Sequence, residues 1–266
     1  MAAPIAAQLY TFRDPEPSGG PGLRLDRPTL EAIAAAGYLG VETVDVPGGD
    51  PVVARRALGD AGLTVASSHT WAAQDDAEGF ERACAALAEL GSPRVVVSGR
   101  GFESVEQLER GADRLARLAG VAERHGLRLG YHNHSDELRP LDGSTTLQRL
   151  ADRLGPALDF QVDIFWVAVG GADPATVITA LGPRVVSLHV KDGIDLPSSA
   201  GGEAFVNVPA GDGVVDPAPA IAAAEAGGAL EWAIVEFDHV VGSPIEAVRR
   251  SLDYLLAKDL VRSRHA

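Results

Sequence analysis

The feature that most constrains this chain is its strict alternation of two kinds of segment. Short β-branched runs are followed, eight times over, by longer Ala/Leu/Arg/Glu stretches of helical period. The runs read as strands over Ile5–Phe12, Gly40–Val46, Thr64–His69, Arg94–Ser98, Arg128–His134, Leu158–Asp163, Val185–Lys191 and Trp232–Phe237. The helical stretches are Thr29–Ala36, Pro51–Ala61, Asp76–Leu90, Ser104–His125, Ser144–Leu154, Pro174–Leu181, Pro217–Ala226 and Pro244–Ala257. Pro51, Pro174, Pro217 and Pro244 each follow Asp or Ser, which is how a capped helix starts. Gly37, Gly62, Gly91, Gly126 and Gly227 fall where helices end.

Such alternation without a break in composition builds a parallel sheet. Eight units in 266 residues predict a single-domain α/β chain over 1–266, a closed (β/α)8 TIM barrel of eight parallel strands. An open nucleotide-binding sheet would carry a Gly-rich turn after its first strand; here the residues are Tyr10-Thr11-Phe12-Arg13. Two connections are long, Arg13 to Pro28 and Asp192 to Asp216. Both follow strands, so both are expected over the C-terminal mouth of the barrel as candidate lids.

Composition narrows the partners. A net charge of −14 disfavours nucleic acid and other polyanions. Cys84 is the only cysteine, so no intrachain disulfide forms. Met1 to Leu9 has no basic leader region, and no run of 18 apolar residues occurs. The expectation is a cytoplasmic protein with no membrane partner.

Five of the seven histidines fall at expected strand ends, most with acids beside them. Side chains alternate faces along a strand, so His132 pairs with His134, Gln161 with Asp163, and His189 with Lys191. Glu236 and Asp238 likewise share a face. If these faces point inward, His132, Asp163, His189 and Glu236 converge at one mouth. Two nitrogens and two carboxylates suit Mn, Zn, Co or Fe(II) better than Ca. Unpaired in a core, four such groups would be costly to bury. His69, ending the third strand, is either a substrate contact at the same mouth or the cap of its strand end. Lys191 would hold a ligand hydroxyl or acid, or pair with Asp163 or Asp192. Trp166 is either an apolar wall for a sugar ring or ordinary packing. Glu42 and Asp45 fall on opposite faces, so at most one points inward, and His125 and His265 read as surface residues.

Taken together, Gln8-Leu9-Tyr10, Tyr131-His132-Asn133-His134 with Glu137, Gln161-Val162-Asp163 and Leu188-His189-Val190-Lys191-Asp192 form a pattern. Val208-Pro209-Ala210-Gly211-Asp212-Gly213 and Val235-Glu236-Phe237-Asp238 complete it. The chain resembles the sugar phosphate isomerase/epimerase group of xylose isomerase-like TIM barrels over nearly its whole length. The resemblance implies a divalent metal (Mn, Zn, Co, Mg or Fe, with Mn or Zn favoured) on His132, Asp163, His189 and Glu236. It also implies a sugar or keto-sugar substrate and an enediolate formed by proton removal beside a carbonyl. Epimerases of the group carry Glu where His132 stands, which removes one of two glutamate bases. Glu236 is then one base, with His132, His134 or Glu137 opposite, while Lys191 and His69 orient hydroxyls.

The same site in a lyase would expel a β-hydroxyl from a keto-sugar or keto-inositol. A non-catalytic sugar-binding barrel is a further alternative, and an abasic-DNA endonuclease is disfavoured by the charge. Gly211-Asp212-Gly213 is compatible with a phosphate nest, although Asp212 would repel the anion. Barrels of this kind commonly form dimers or tetramers, and homo-oligomerisation is the matching expectation.

Overall fold

The computed structural model describes residues 2–13, 26–72, 76–99, 101–196 and 205–265. Eight strands are β1 Ala3–Gln8, β2 Gly40–Val44, β3 Thr64–His69, β4 Arg94–Ser98, β5 Arg128–His132, β6 Asp159–Asp163, β7 Val185–Val190 and β8 Trp232–Val235. Each pairs in parallel with the next, and β1 pairs with β8 through Ile5↔Ala233, Ala6↔Ile234 and Ala7↔Val235. The sheet is therefore closed, a TIM barrel in one domain.

The helices outside it are α1 Arg27–Ala36, α2 Pro51–Asp60, α3 Ala77–Leu90, α4 Val105–Arg124 and α5 Thr146–Leu154. They continue as α6 Ile164–Val169, α7 Pro174–Leu181, α8 Pro217–Gly227 and α9 Pro244–Ala257. Among the described residues no helix is long and apolar enough to cross a membrane. The expected caps form. Asp50 Oδ1 accepts from Val52 N at 2.9 Å and Val53 N at 3.0 Å, with Pro51 in the first turn. Gly37 and Gly91 close α1 and α3 in the left-handed conformation (φ 112° and 95°). At α8 that role falls to Gly228 rather than Gly227, which is the last helical residue.

Inward residues stack in layers up the barrel. At its base Arg94 is buried against Asp159 (Nη2–Oδ2 2.9 Å) and Glu231 (Nη1–Oε2 3.0 Å). Above lies a small apolar layer of Ala6, Ala66 and Ile234, packed with Trp232. Gly40 and Gly130 make room for the two large plugs: a Cβ on Gly40 would stand 3.0 Å from the Trp232 ring, and one on Gly130 2.9 Å from Arg94 Cδ. The upper layers are polar and form the site.

Five strands, β1, β2, β5, β7 and β8, end earlier than periodicity predicts, and at three of them side chains take over backbone groups. β1 stops at Gln8, whose Oε1 accepts from Tyr10 N and turns Leu9–Phe12 into a 3-10 turn. β5 stops at His132, since His134 N donates to Glu137 Oε2 (3.0 Å) rather than to a strand. β8 stops at Val235, with Phe237 N held by Thr11 Oγ1 (3.0 Å) and Asp238 N by Asn207 Oδ1 (2.8 Å). α6 is an addition to the expected helices. It starts because Asp163, the last residue of β6, accepts from Trp166 N at 3.0 Å.

Residues 14–25 and 197–204, the middle of both candidate lids, lie outside the described residues. The remainder of the second connection is well defined. The Asp192 carboxylate accepts from the backbone N–H of Gly193, Gly211, Gly213 and Val215 at 2.8–3.1 Å. The nest read as compatible with phosphate is thus filled by the chain's own carboxylate.

Replacing Arg94 by Ala leaves Asp159 buried with Arg128 as its remaining cation partner. We expect urea unfolding to report a loss of about 3 kcal/mol. A loss below about 1 kcal/mol, the range of exposed pairs, would show that Arg128 suffices.

Candidate active site

The C-terminal mouth of the barrel encloses a cavity of about 580 Å³. Its lower end is lined by His69, His132, Lys191 and Glu236, and one wall by His134, Trp166 and Phe205.

Just beneath the cavity lies Glu42, fully buried in β2. Its Oε2 accepts from Gln8 Nε2 (2.6 Å) and its Oε1 from Gln161 Nε2 (2.6 Å) and the Ser67 hydroxyl. Its Oε2 also meets His189 Nε2 at 2.6 Å. All acceptor positions of a carboxylate are then used. Burial alone would raise the Glu42 pKa, but His69 and His189 hold it well below the usual carboxylate range.

This contact orients His189. With Nε2 donating to Glu42, Nδ1 faces Glu236 Oε2 at 2.9 Å and Asp163 Oδ2 at 3.9 Å. Lys191 Nζ stands 2.7 Å from Glu236 Oε2, 2.7 Å from Asp238 Oδ2 and 3.0 Å from Asp163 Oδ2. Of its two expected acid partners it therefore takes Asp163 and leaves Asp192 to the glycine loop. The electrostatics follow from this packing. Burial would lower the Lys191 pKa, but Asp163, Asp238 and Glu236 keep it well above the usual value. Burial would raise the Glu236 pKa, but Lys191 and His189 hold it well down. At Asp163 burial wins, and its carboxyl is pushed up despite the same two cations. Asp163 Oδ2 makes no hydrogen bond of good geometry, although Lys191 lies close.

The four ligand-type residues do not form one set. Ligand atoms of Asp163, His189 and Glu236 lie within 4.8 Å of one another, and those of His69, His132 and His189 form a second such group. His132 belongs to the second. Its Nδ1 meets Gln161 Oε1 at 3.1 Å, and the same oxygen meets His69 Nε2 at 2.7 Å. Since an amide oxygen only accepts, both rings donate to it. Burial, followed by the neighbouring His189, His134 and His69, pushes the His132 pKa well down, so the ring is neutral.

His134 lines the cavity with its Nδ1 3.3 Å from Gly99 O. A carbonyl cannot donate, so Nδ1 carries a hydrogen, and Nε2 is the nitrogen left for other contacts. Trp166 is 5% exposed and packs at 5.8 Å from His134 and 5.2 Å from Phe205 between ring centroids, which makes it a wall of the cavity. Glu137 is placed elsewhere. Its carboxylate accepts from Tyr131 Oη (2.8 Å), His134 N (3.0 Å) and Gly101 N (3.3 Å), and it does not line the cavity. It braces the exit of β5 instead of facing a ligand. His125 pairs with Glu81 on the helical layer, and His265 reaches Ala35 O.

Sequence reasoning missed the weight of Glu42. Its signal was a lone carboxylate inside the otherwise uncharged strand Gly-Val-Glu-Thr-Val, read as one of two alternatives with Asp45. Asp238 entered only as sharing a face with Glu236, and neutral polar residues such as Gln8 and Ser67 carry little signal alone.

The chain matches the family model described as xylose isomerase-like TIM barrel over residues 30–258, and it belongs to that family. It is similar to an inosose dehydratase of Geobacillus thermodenitrificans, 25% identical over 261 residues, covering 85% of this chain and 87% of that protein. In structure it is similar to a sugar phosphate isomerase/epimerase from Parabacteroides distasonis (TM-score 0.80, 19% identity, 98% and 100% of the two chains). A probable 3-DHS dehydratase, AsbF, of Bacillus anthracis also superposes (TM-score 0.74, 14% identity, 95% and 98% covered). These relatives thus include a dehydratase and an isomerase/epimerase on the same fold.

The charge pairing has a measurable consequence. Burial would lower the His189 pKa, but Glu236 and Glu42 raise it from 6.5 to about 10. A cation favoured in this way stabilises the fold fully below pH 6.5, and the contribution is lost as pH rises towards about 10. Thermal melts of chelator-treated protein are expected to shift steadily downward over that window. A flat midpoint would contradict the Glu42–His189–Glu236 pairing.

Proposed function

We propose that this chain is a lyase that removes a proton beside the carbonyl of a keto-sugar or keto-polyol and expels a β-hydroxyl as water. The observation that carries this reading is Asp163 Oδ2, which lacks a hydrogen bond of good geometry and is buried beside His189 Nδ1, Lys191 and Glu236, the last two of which line the cavity. Three carboxylates, Asp163, Glu236 and Asp238, surround Lys191, with His189 the other cation beside them. That excess of negative charge, with an imidazole nitrogen aimed into it, fits a divalent cation of the Mn or Zn type. Asp163, His189 and Glu236 would hold the ion, and it would supply Lewis-acid polarisation of the substrate carbonyl.

The remaining roles fall to the chain itself. Lys191, held protonated, places a fixed positive charge where the enolate oxygen develops. In its neutral form His134 accepts the α-proton at Nε2. The resulting imidazolium returns that proton to the departing hydroxyl, so one water leaves and an unsaturated ketone remains. His69 and His132 present ring edges to the hydroxyls, and Trp166 and Phe205 exclude water from one side.

Elimination is favoured over epimerisation by the place of His132. An epimerase needs a second base to return the proton to the opposite face. Here that strand position holds a neutral imidazole tied to Gln161, and Glu137 is committed elsewhere. The similarity to inosose dehydratases supports the same choice. The isomerase or epimerase outcome expected from the resemblance becomes the second reading, on the same enediolate. A cytoplasmic setting accords with the single, buried Cys84.

The test is incubation of the metal-loaded protein with keto-inositols and keto-sugars in heavy water. Loss of one water mass supports the lyase reading, and deuterium incorporation without mass loss supports epimerisation. Asp163→Ala is expected to lower kcat/KM by about a thousandfold. An Asp163→Ala variant with near-normal turnover would sink both readings.

A further inference from the structure

The cavity has a second aromatic wall that the proposed chemistry does not use. The floor groups Asp163, His189, Lys191 and Glu236 come from the β6–β8 half of the barrel, and so does Trp166. The loops after β1, which neighbours β8 in the closed barrel, and after β3 supply Tyr10, Arg13 and Trp71, which also line the cavity. The Tyr10 and Trp71 rings lie 6.2 Å apart and tilted by 59°. Arg13 stacks its guanidinium 3.8 Å above the Tyr10 ring and donates to Tyr10 O at 3.0 Å and to Asp238 O.

Trp71 is 60% exposed, an unfavourable state for so large an apolar ring. Its placement is not casual. Asp45 adopts a left-handed conformation (φ 49°) that non-glycine residues seldom take. From there its carboxylate accepts from Thr70 Oγ1 at 2.7 Å and Trp71 N at 3.3 Å. A strained anchor thus presents an exposed indole at the edge of the cavity. The cavity of about 580 Å³ has room for a ligand of drug size, larger than one sugar ring.

We propose that Tyr10 and Trp71 form an outer subsite for a second ring, so that the substrate is a keto-sugar or keto-polyol carrying a linked ring. The shared chemistry is a flat ring face, sugar or aromatic, stacked on the indole, with Arg13 keeping Tyr10 in position. The inference rests on the reading of the floor as the reacting end.

The experiment is calorimetric titration of the full chain with methyl β-glucoside, phenyl β-glucoside and cellobiose. At least one ring-bearing probe is expected to bind about tenfold more tightly than the methyl glucoside. Trp71→Ala should abolish that advantage, and Trp71→Phe should retain most of it. Preference for the phenyl probe alone identifies an aromatic group, and preference for cellobiose alone a sugar. Equal affinities for the three probes, absence of binding included, would overturn the subsite, as would an advantage that survives Trp71→Ala. These probes are not ketones, so the contrast does not depend on turnover. Failed proton exchange would remove the proposed reaction and leave this contrast standing, while equal affinities with exchange intact would remove the outer subsite alone.

Discussion

One buried carboxylate organises the upper barrel. Glu42 of β2 gathers Gln8 from β1, Ser67 from β3, Gln161 from β6 and His189 from β7. An ion so far from water survives only with every acceptor position filled, and each donor here comes from a different strand. The closed sheet makes that convergence possible, because inward faces at equal height meet on the axis. The convergence in turn sets the ring of His189, and through it the reach of Asp163 and Glu236. Gln161 extends the same network to His69 and His132.

Charge balance then divides the mouth into regions with different work. Lys191 and His189 stand among Asp163, Glu236 and Asp238, where carboxylates outnumber cations. Beside them His69 and His132 are linked through the amide oxygen of Gln161. Below, Arg94 and Asp159 close the barrel with a buried pair remote from the cavity. The glycine-rich loop after β7 spends its N–H groups on Asp192, so its geometry supports the protein rather than an incoming anion. One fold thus uses buried ionic groups for closure, for loop shape and at the cavity floor, where Asp163 Oδ2 lacks a hydrogen bond of good geometry.

The fold was legible because alternation, capping prolines and terminal glycines act locally, and strand closure follows from counting units. Strand ends were less legible. At His134, Phe237 and Asp238 the backbone N–H groups go to side chains distant in sequence or beyond the strand, and no periodic pattern records that. Asp163, His189 and Glu236, with His132, were readable as a group because ligand-type residues recur at matching strand ends. The division that separates His132 from them depends on where Gln161 points, which is a tertiary fact. Glu137 read as a base because it follows a histidine motif closely. Its commitment to Tyr131 and two backbone amides arises from the turn it helps to form.

The central claim is that Asp163, His189 and Glu236 form the cation site and that His132 stands outside it. Plasma mass spectrometry of Mn- or Zn-loaded wild type, Asp163→Ala and His132→Ala proteins tests this most directly. The account predicts about one ion per wild-type chain, lost in Asp163→Ala and kept in His132→Ala. Equal loss in both variants, or a wild-type chain that takes up no ion under any loading condition, would contradict it.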